Sequence, residues 1–387
     1  MASILSRLLP PSSPPEPIRP GLYHALAPRD AAQPYRLHLR VEADGSGILI
    51  VNAATVLHLN SSAAEHSLLF IEGKTEEEAS RAIASRFRVS RRRALADHQA
   101  LRARVLTIAT TPEIDPVLFL GMDRTDPYPD DLTAPYRLDL ALTYRTTPGA
   151  AADPRVPRRV DRELTTEEWK ETLGKSWQAG IPHVIFTGGE PTLRDDLVEL
   201  VGHAEKLGQV AGLLTDGRRL AAASYLSSLS LAGLDHILVT LDPADPATMA
   251  GLKAAIASDV YTAAHLTLSP GTSLEVPALL EELRGLGLAA ISFSASNEAP
   301  ETVTRLAEAR AAAARLGISL IWDLPAPYSA LNPMALELEK RAQGAGRAFL
   351  YVEPDGDVLP GQGIERSLGN ILRDDWPSIW RAAKQPA

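Results

Sequence analysis

The chain has 387 residues, enough for two or three domains, and 45% of them are apolar, as in ordinary globular proteins. Its net charge of −9, from 39 basic and 48 acidic residues, supplies no broad basic field for nucleic acid, and no apolar run nears the roughly 20 residues of a membrane span. It contains no cysteine, which excludes disulfides, thiol nucleophiles, zinc–thiolate sites and iron–sulfur clusters held by thiolates.

In MASILSRLLPPSSPPEPIRP, residues 1–20, the apolar part is broken by Ser6-Arg7 and stops at Pro10. This reads as a Pro-rich disordered or extended tail rather than a signal peptide, and a cytoplasmic location is the default.

Residues 21–105 read as one small unit. Tyr35 to Val41 alternates apolar and polar residues, Ala43-Asp44-Gly45-Ser46-Gly47 is turn chemistry, and Ile48 to Val51 completes a hairpin. Thr55 to Leu59 is a third strand. Asn60-Ser61-Ser62 then caps a helix over roughly 63–72, ended by Gly73. Thr75 and Glu78 form a capping box before a second helix, with Ala79, Ile83 and Phe87 at helical spacing. A third helix over 90–104 carries Ala94, Leu95 and Leu101. The cluster from Arg86 to Arg93 reads either as a solvated helix start or as a docking patch for an acidic partner.

Residues 106–136, rich in Pro, Asp and Thr, read as a linker. From 137 to 325 strands and helices alternate. The strands lie near 138–142, 183–186, 209–214, 236–240, 264–268, 289–293 and 319–322; the helices lie near 166–178, 195–207, 246–257, 274–284 and 301–316. Repeated βα units with buried strands imply a parallel sheet curled as a full or partial barrel, with chemistry at the C-terminal strand ends. Residues 326–387 form a C-terminal extension whose Pro354-Asp355-Gly356-Asp357 makes a hairpin turn and whose Trp376 and Trp380 read as core anchors.

Three groups of residues carry a resemblance. Thr187-Gly188-Gly189-Glu190-Pro191, after a strand, resembles the glycine-rich element of radical SAM enzymes, and Leu142-Thr143-Tyr144-Arg145 resembles the lead-in to their three-cysteine loop. By resemblance the three cysteine positions are Thr146, Ala150 and Asp153. Tyr351-Val-Glu-Pro-Asp-Gly-Asp-Val358, Leu368-Gly-Asn-Ile371 and Ile379-Trp380 resemble the SPASM/twitch extension of peptide-modifying radical SAM proteins of the PqqE kind, with Gly361 at its cysteine. Val56-Leu-His-Leu-Asn-Ser-Ser62, Gly73-Lys-Thr75 and the Asp97-His98 pair resemble a PqqD-like peptide-recognition domain.

The resemblance implies an α/β fold: a partial (β/α)6 TIM-like barrel, an N-terminal winged-helix-like PqqD-type domain and a degenerate SPASM/twitch-like extension. It implies that Gly188, Gly189, Glu190, Pro191, Asp216 and Thr240 line a pocket for S-adenosylmethionine, Glu190 accepting from its amino group. The same residues also read as a folding turn and ordinary strand-end caps. It implies that a leader peptide adds as a strand along Leu57 to Leu59 or the hairpin edge, beside the helix near Asp97 and Leu101, by β-augmentation; a packing unit or DNA-binding module is the other reading of that domain. A thiolate-held cluster needs soft anionic sulfur, which Thr146, Ala150, Asp153 and Gly361 do not offer. No metal site is expected, since Asp153 alone is a weak ligand. The expected function is a cluster-free pseudoenzyme in peptide maturation. It would bind a precursor peptide and present it to a partner enzyme, with S-adenosylmethionine as the candidate cofactor. The alternatives are an enzyme of another class using carboxylates at the barrel mouth (Glu190, Asp153 and Asp242), such as a SAM-dependent transferase or metal-assisted hydrolase, or a decaying paralogue.

Overall fold

A computed structural model describes residues 17–28, 31–33, 35–52, 55–111, 119–120, 132–148, 160, 162–270, 274–288, 290–297, 299–321, 344–364 and 366–385. The chain divides into two compact units, residues 1–125 and 126–387. Most of the tail, the linker's centre, Ala150, Asp153, Trp322 and the start of the C-terminal extension lie outside the described residues.

The first unit is a four-stranded antiparallel sheet followed by three helices. Its strands are β1 (Gly21–Leu26), β2 (Arg36–Val41), β3 (Gly47–Val51) and β4 (Thr55–Leu59), in that spatial order. Asp44 closes the β2–β3 turn by accepting from Ser46 N and Oγ, at 2.9 and 2.6 Å, while Gly45 takes φ +84°. The expected caps form: Asn60 opens α1 (Ser61–Ile71), a Thr75–Glu78 capping box opens α2 (Glu76–Phe87), and Ser90 opens α3 (Arg91–Thr110). Leu37, Leu39, Val41, Leu49 and Val51 from the sheet bury against Leu68, Val105 and Ile108 from the helices. Each such side chain contributes about 1.5–3 kcal/mol on leaving water.

Two expectations change here. α3 continues to Thr110, because Val105, Ile108 and Ala109 supply a further buried turn. β1 is an added strand that covers the β2 edge, pairing Gly21 with Val41 through to Leu26 with Arg36. GLYHAL has little apolar alternation of its own; the exposed edge of β2 makes it a strand.

The second unit carries a ten-stranded sheet. Its parallel part is β5 (Arg137–Thr143), β6 (His183–Gly188), β7 (Val210–Thr215), β8 (His236–Thr240), β9 (Tyr261–Leu268), β10 (Ala290–Ala295) and the short β11 (Ser319–Leu320). The helices are α4 (Thr166–Gln178), α5 (Leu197–Leu207), α6 (Ala223–Leu231), α7 (Pro246–Ile256), α8 (Val276–Gly285) and α9 (Pro300–Arg315). Sequence reading missed α6, whose serine-rich ASYLSSLSL has weak helix propensity and only Leu226 and Leu229 buried. Beyond β5 the sheet continues through β12 (Phe349–Val352), parallel to β5, then β13 (Asp357–Leu359) and β14 (Gly369–Asn370), both antiparallel, before α10 (Trp376–Ala383). The β12–β13 turn falls at Pro354-Asp355-Gly356, as expected, with Gly356 at φ +91°. Trp380 is buried and donates to Leu132 O at 3.2 Å, whereas Trp376 is only half-buried and stacks on it.

The strand register sorts residues onto two faces. One face, including Leu138, Leu140, Phe186, Leu213, Val239 and Phe293, is mainly apolar, with Thr215 and Thr262 on it as well. The other has three layers. Its middle layer is apolar: Ile185, Leu214, Leu238, Ala263 and Ala290. Toward the strand N-termini lie an Arg137–Asp139 ion pair at 2.7 Å and a His183–His236 pair with Nε2 atoms 2.8 Å apart. Gly212, paired with His236 on the strand between them, leaves the room in which the imidazoles meet, and a Cβ there would stand 2.2 Å from the His236 ring. Toward the C-termini the face turns polar, and there the glycine-rich turn and the strand-end motifs of the sequence converge.

Candidate functional site

The turn after β6 is built against the segment after β5. Gly189 N donates to Thr143 O at 2.7 Å, and Glu190 N donates to Arg145 O at 2.8 Å. Gly188 adopts φ +122°, and a Cβ there would lie 2.2 Å from Thr143 O. At Gly189 a Cβ would lie 2.2 Å from Arg145 O. Both glycines are therefore required by the chain's own backbone. Pro191 then opens a short 3₁₀ turn, Pro191–Leu193.

Glu190 is buried, with 3% of its surface exposed, and its carboxylate ties two strand ends together. Oε1 accepts from Thr192 N at 3.0 Å, Thr192 Oγ1 at 2.5 Å and Thr215 Oγ1 at 2.7 Å; Oε2 accepts from Asp216 N at 2.7 Å. Burial, and next the Asp216 charge, push its carboxyl up to about 7 against the ordinary 4.5, outweighing these hydrogen bonds. A carboxylate offers about four acceptor positions, so only Oε2 keeps room for one further donor. Asp216 accepts from Thr147 Oγ1 at 2.6 Å and from Arg218 N at 3.0 Å. Thr240 Oγ1 donates to Thr215 O at 3.1 Å. The structure thus brings Gly188, Gly189, Glu190, Pro191, Asp216 and Thr240 to the C-terminal ends of β6, β7 and β8. Asp242 instead faces solvent and accepts from Ala244 N in its own turn at 3.0 Å.

Thr146 is exposed in the segment after β5. Around that segment stands a charged network that sequence reading missed. Thr143 Oγ1 donates to Glu163 and accepts from Arg145 Nε at 3.1 Å. Glu163 pairs with Arg145 at 3.6 Å and Arg194 at 3.5 Å, and Arg194 also donates to Leu142 O and Leu164 O. The hydroxyl of Tyr144, kept protonated by burial, donates to buried Glu353 at 3.0 Å. Gly361 is buried against Ala345, Ile364 and Phe349, and a Cβ there would meet Ala345 Cβ at 3.1 Å.

A second polar group went unread. His265 sits between Ser292 Oγ at 3.0 Å, on Nδ1, and Ser294 Oγ at 2.9 Å, on Nε2. Thr267 bonds both His265 and Ser294 and is itself exposed. Burial holds His265 down to about 4, so it is neutral near pH 7. The spacing of two residues along each strand was the available signal: His265 and Thr267, beside Ser292 and Ser294, share a face.

In the first unit, Leu57, Leu59 and Leu101 are half-buried against the same core cluster. Asp97 is half-buried and pairs with Arg93 at 2.8 Å.

Residues 147–265 match the profile of the radical SAM superfamily. The PqqA peptide cyclase of Methylobacterium sp. (strain 4-46) is 30% identical over 295 residues, covering 66% of this chain and 75% of the relative. The chain belongs to the radical SAM superfamily. A second PqqA peptide cyclase, from Rhizobium meliloti (strain 1021), is 30% identical over 280 residues, covering 63% of this chain and 71% of the relative. Streptococcus suis SuiB bound to precursor peptide SuiA shares the fold at TM-score 0.58 and 13% identity, over 88% of this chain and 86% of that one. SuiB bound to S-adenosylmethionine gives TM-score 0.56 at 15% identity, over 89% and 86%. Among the described residues no helix is long and apolar enough to cross a membrane.

The superfamily implies an iron–sulfur cluster and S-adenosylmethionine. The residues do not fit the cluster: a radical SAM chain without cysteine has no thiolate to bind iron, and exposed Thr146 offers a neutral hydroxyl. For S-adenosylmethionine the fit reduces to one acceptor position on Glu190 Oε2, which suits a single ammonium hydrogen bond.

Proposed function

We propose that this radical SAM protein is a cluster-free pseudoenzyme that binds a precursor peptide during maturation of a ribosomally made peptide or peptide-derived cofactor, and presents it to a partner enzyme. The observation that carries the reading is how the glycine-rich element is used. Its glycines and Glu190 are occupied in holding the strand ends together, in a chain that has no cysteine to hold iron. The barrel framework is kept for shape. PqqA peptide cyclases act on a peptide by name, and the SuiB structure holds a precursor peptide. Both support a peptide as the ligand here.

In this reading the first unit is a PqqD-like recognition domain. β1 already covers one sheet edge, and β4 is the other edge, so a peptide strand adds along Thr55–Leu59 near Leu101. The region after Gly344 is a SPASM/twitch-like extension that has kept its hairpin and lost its ligands. The protein acts in the cytoplasm.

Two measurements on the full chain test this. Iron and sulfide are assayed after anaerobic reconstitution; stoichiometric cluster would sink the cluster-free reading. S-adenosylmethionine is titrated calorimetrically beside Glu190→Ala. Binding lost in the variant means that the last Oε2 position serves the cofactor, and that the protein senses or uses it without iron. No binding leaves the barrel as a scaffold.

A further inference from the structure

Seven arginines lie between residues 86 and 104 (Arg86, Arg88, Arg91, Arg92, Arg93, Arg102 and Arg104), with Asp97 as the one acidic residue, in a chain of net charge −9. The helices dispose of these charges unequally. On one flank of α3, Arg91 meets Glu77 at 3.3 Å, Arg102 meets Glu76 at 3.5 Å, and Gln99 also reaches Glu76. The acidic first turn of α2 neutralises that flank.

The other flank is different. Arg93, Asp97 and Arg104 stand at i, i+4 and i+11, which is one stripe of an α-helix. Leu101, beside that stripe, packs into the cluster that takes Leu57 and Leu59 of β4. Asn52, in the turn before β4, donates to Ala109 O in the last turn of α3 at 2.8 Å. Ala109 and Leu101 thus tie the C-terminal half of α3 to the region of the strand that forms the sheet's open edge. Its internal pair, Arg93–Asp97, has side chains 72% and 44% exposed. Such an exposed pair contributes little, so a competing carboxylate exchanges with it readily. Arg104 and Arg92 are exposed and carry no carboxylate partner among the described residues.

We infer that the segment recognised along β4 is acidic, with carboxylates at two positions about five residues apart. This rests on the peptide-receptor reading and deepens it. The spacing follows from geometry. Eleven helical steps from Arg93 to Arg104 rise about 16 Å at 1.5 Å each, and an extended strand covers that in about five residues at 3.3 Å each. One carboxylate meets Arg93, displacing Asp97, and the other meets Arg104. The backbone pairing on β4 supplies affinity; the two arginines select the sequence and speed the encounter.

The test pans random peptides displayed on phage against the full chain and against R93E/R104E and R93K/R104K, with retained sequences counted. The wild type is expected to retain peptides bearing Asp or Glu pairs about five apart. R93E/R104E should bind the synthesised winners about tenfold more weakly at low salt, the sum of two reversed surface pairs, and R93K/R104K should keep most of the affinity. Hydrogen exchange should show the β4 amides protected in the wild-type complex. Peptides that protect β4 without acidic enrichment, or that bind R93E/R104E equally well, overturn the inference and leave the receptor reading standing. No retained peptide, or binding with β4 unprotected, overturns both.

Discussion

Substituting Gly189 by alanine separates a turn held by the fold from a turn held for a ligand. The added Cβ would stand 2.2 Å from Arg145 O and 2.9 Å from the backbone carbons of Tyr144 and Arg145. All three are main chain, so no side chain can swing aside. The segment after β5 must retreat by about 1 Å to restore ordinary contact. That strains or breaks Gly189 N to Thr143 O and Glu190 N to Arg145 O. Two hydrogen bonds at about 1 kcal/mol each, plus about 1–3 kcal/mol for overpacking, give a loss of about 3–5 kcal/mol. For a unit of this size that is about 10 °C in Tm. The assay is favourable because all five tryptophans, Trp169, Trp177, Trp322, Trp376 and Trp380, lie after residue 125, so their fluorescence reports the barrel unit alone. Gly174→Ala is the control: it lies inside α4 with nothing within 4 Å of a Cβ, and should gain about 0.5–1 kcal/mol. An unchanged tryptophan transition in Gly189→Ala would refute the claim that the chain's own backbone demands this glycine.

Other expectations follow from the same geometry. Gly212→Ala should destabilise the barrel by about 2–3 kcal/mol, measured by urea unfolding, because its Cβ must part the His183–His236 pair. Glu190 has a folded-state value near 7, above the 4.5 of a free side chain. Its contribution is complete below pH 4.5 and is lost as pH rises through 7, by at most about 3 kcal/mol. Calorimetric Tm against pH should therefore lose this decline in Glu190→Gln. His236 and His265 are held down to about 4 by burial, so their contribution is complete above pH 6.5 and is lost as pH falls through 4. Acid unfolding of the barrel should accordingly move to lower pH in His265→Asn. Thr75→Ala removes the side-chain arm of a capping box, leaving the Thr75 N–H on Glu78, and should cost the first unit about 1 kcal/mol by far-ultraviolet thermal melting.

Much was legible in the chain itself. The alternation of strands and helices, the capping box at Thr75 and the turn at Gly356 depend on neighbours in sequence, and they appear where residue type demands them. The lack of cysteine is countable, and it settles which cluster ligands the chain cannot supply. Tertiary structure alone decided the rest. GLYHAL becomes a strand only because β2 offers an edge. Gly188 and Gly189 could be read as room for a ligand or room for the chain, and only the position of the segment after β5 shows that the chain fills it. The same holds for Glu190, whose partners Thr192, Thr215 and Asp216 come from two turns, and for His265 between Ser292 and Ser294. Local propensity acts over a few residues and can be read from them. Hydrogen bonds between residues far apart in sequence exist only once the sheet has set its register, and at this site they determine what each motif is free to do.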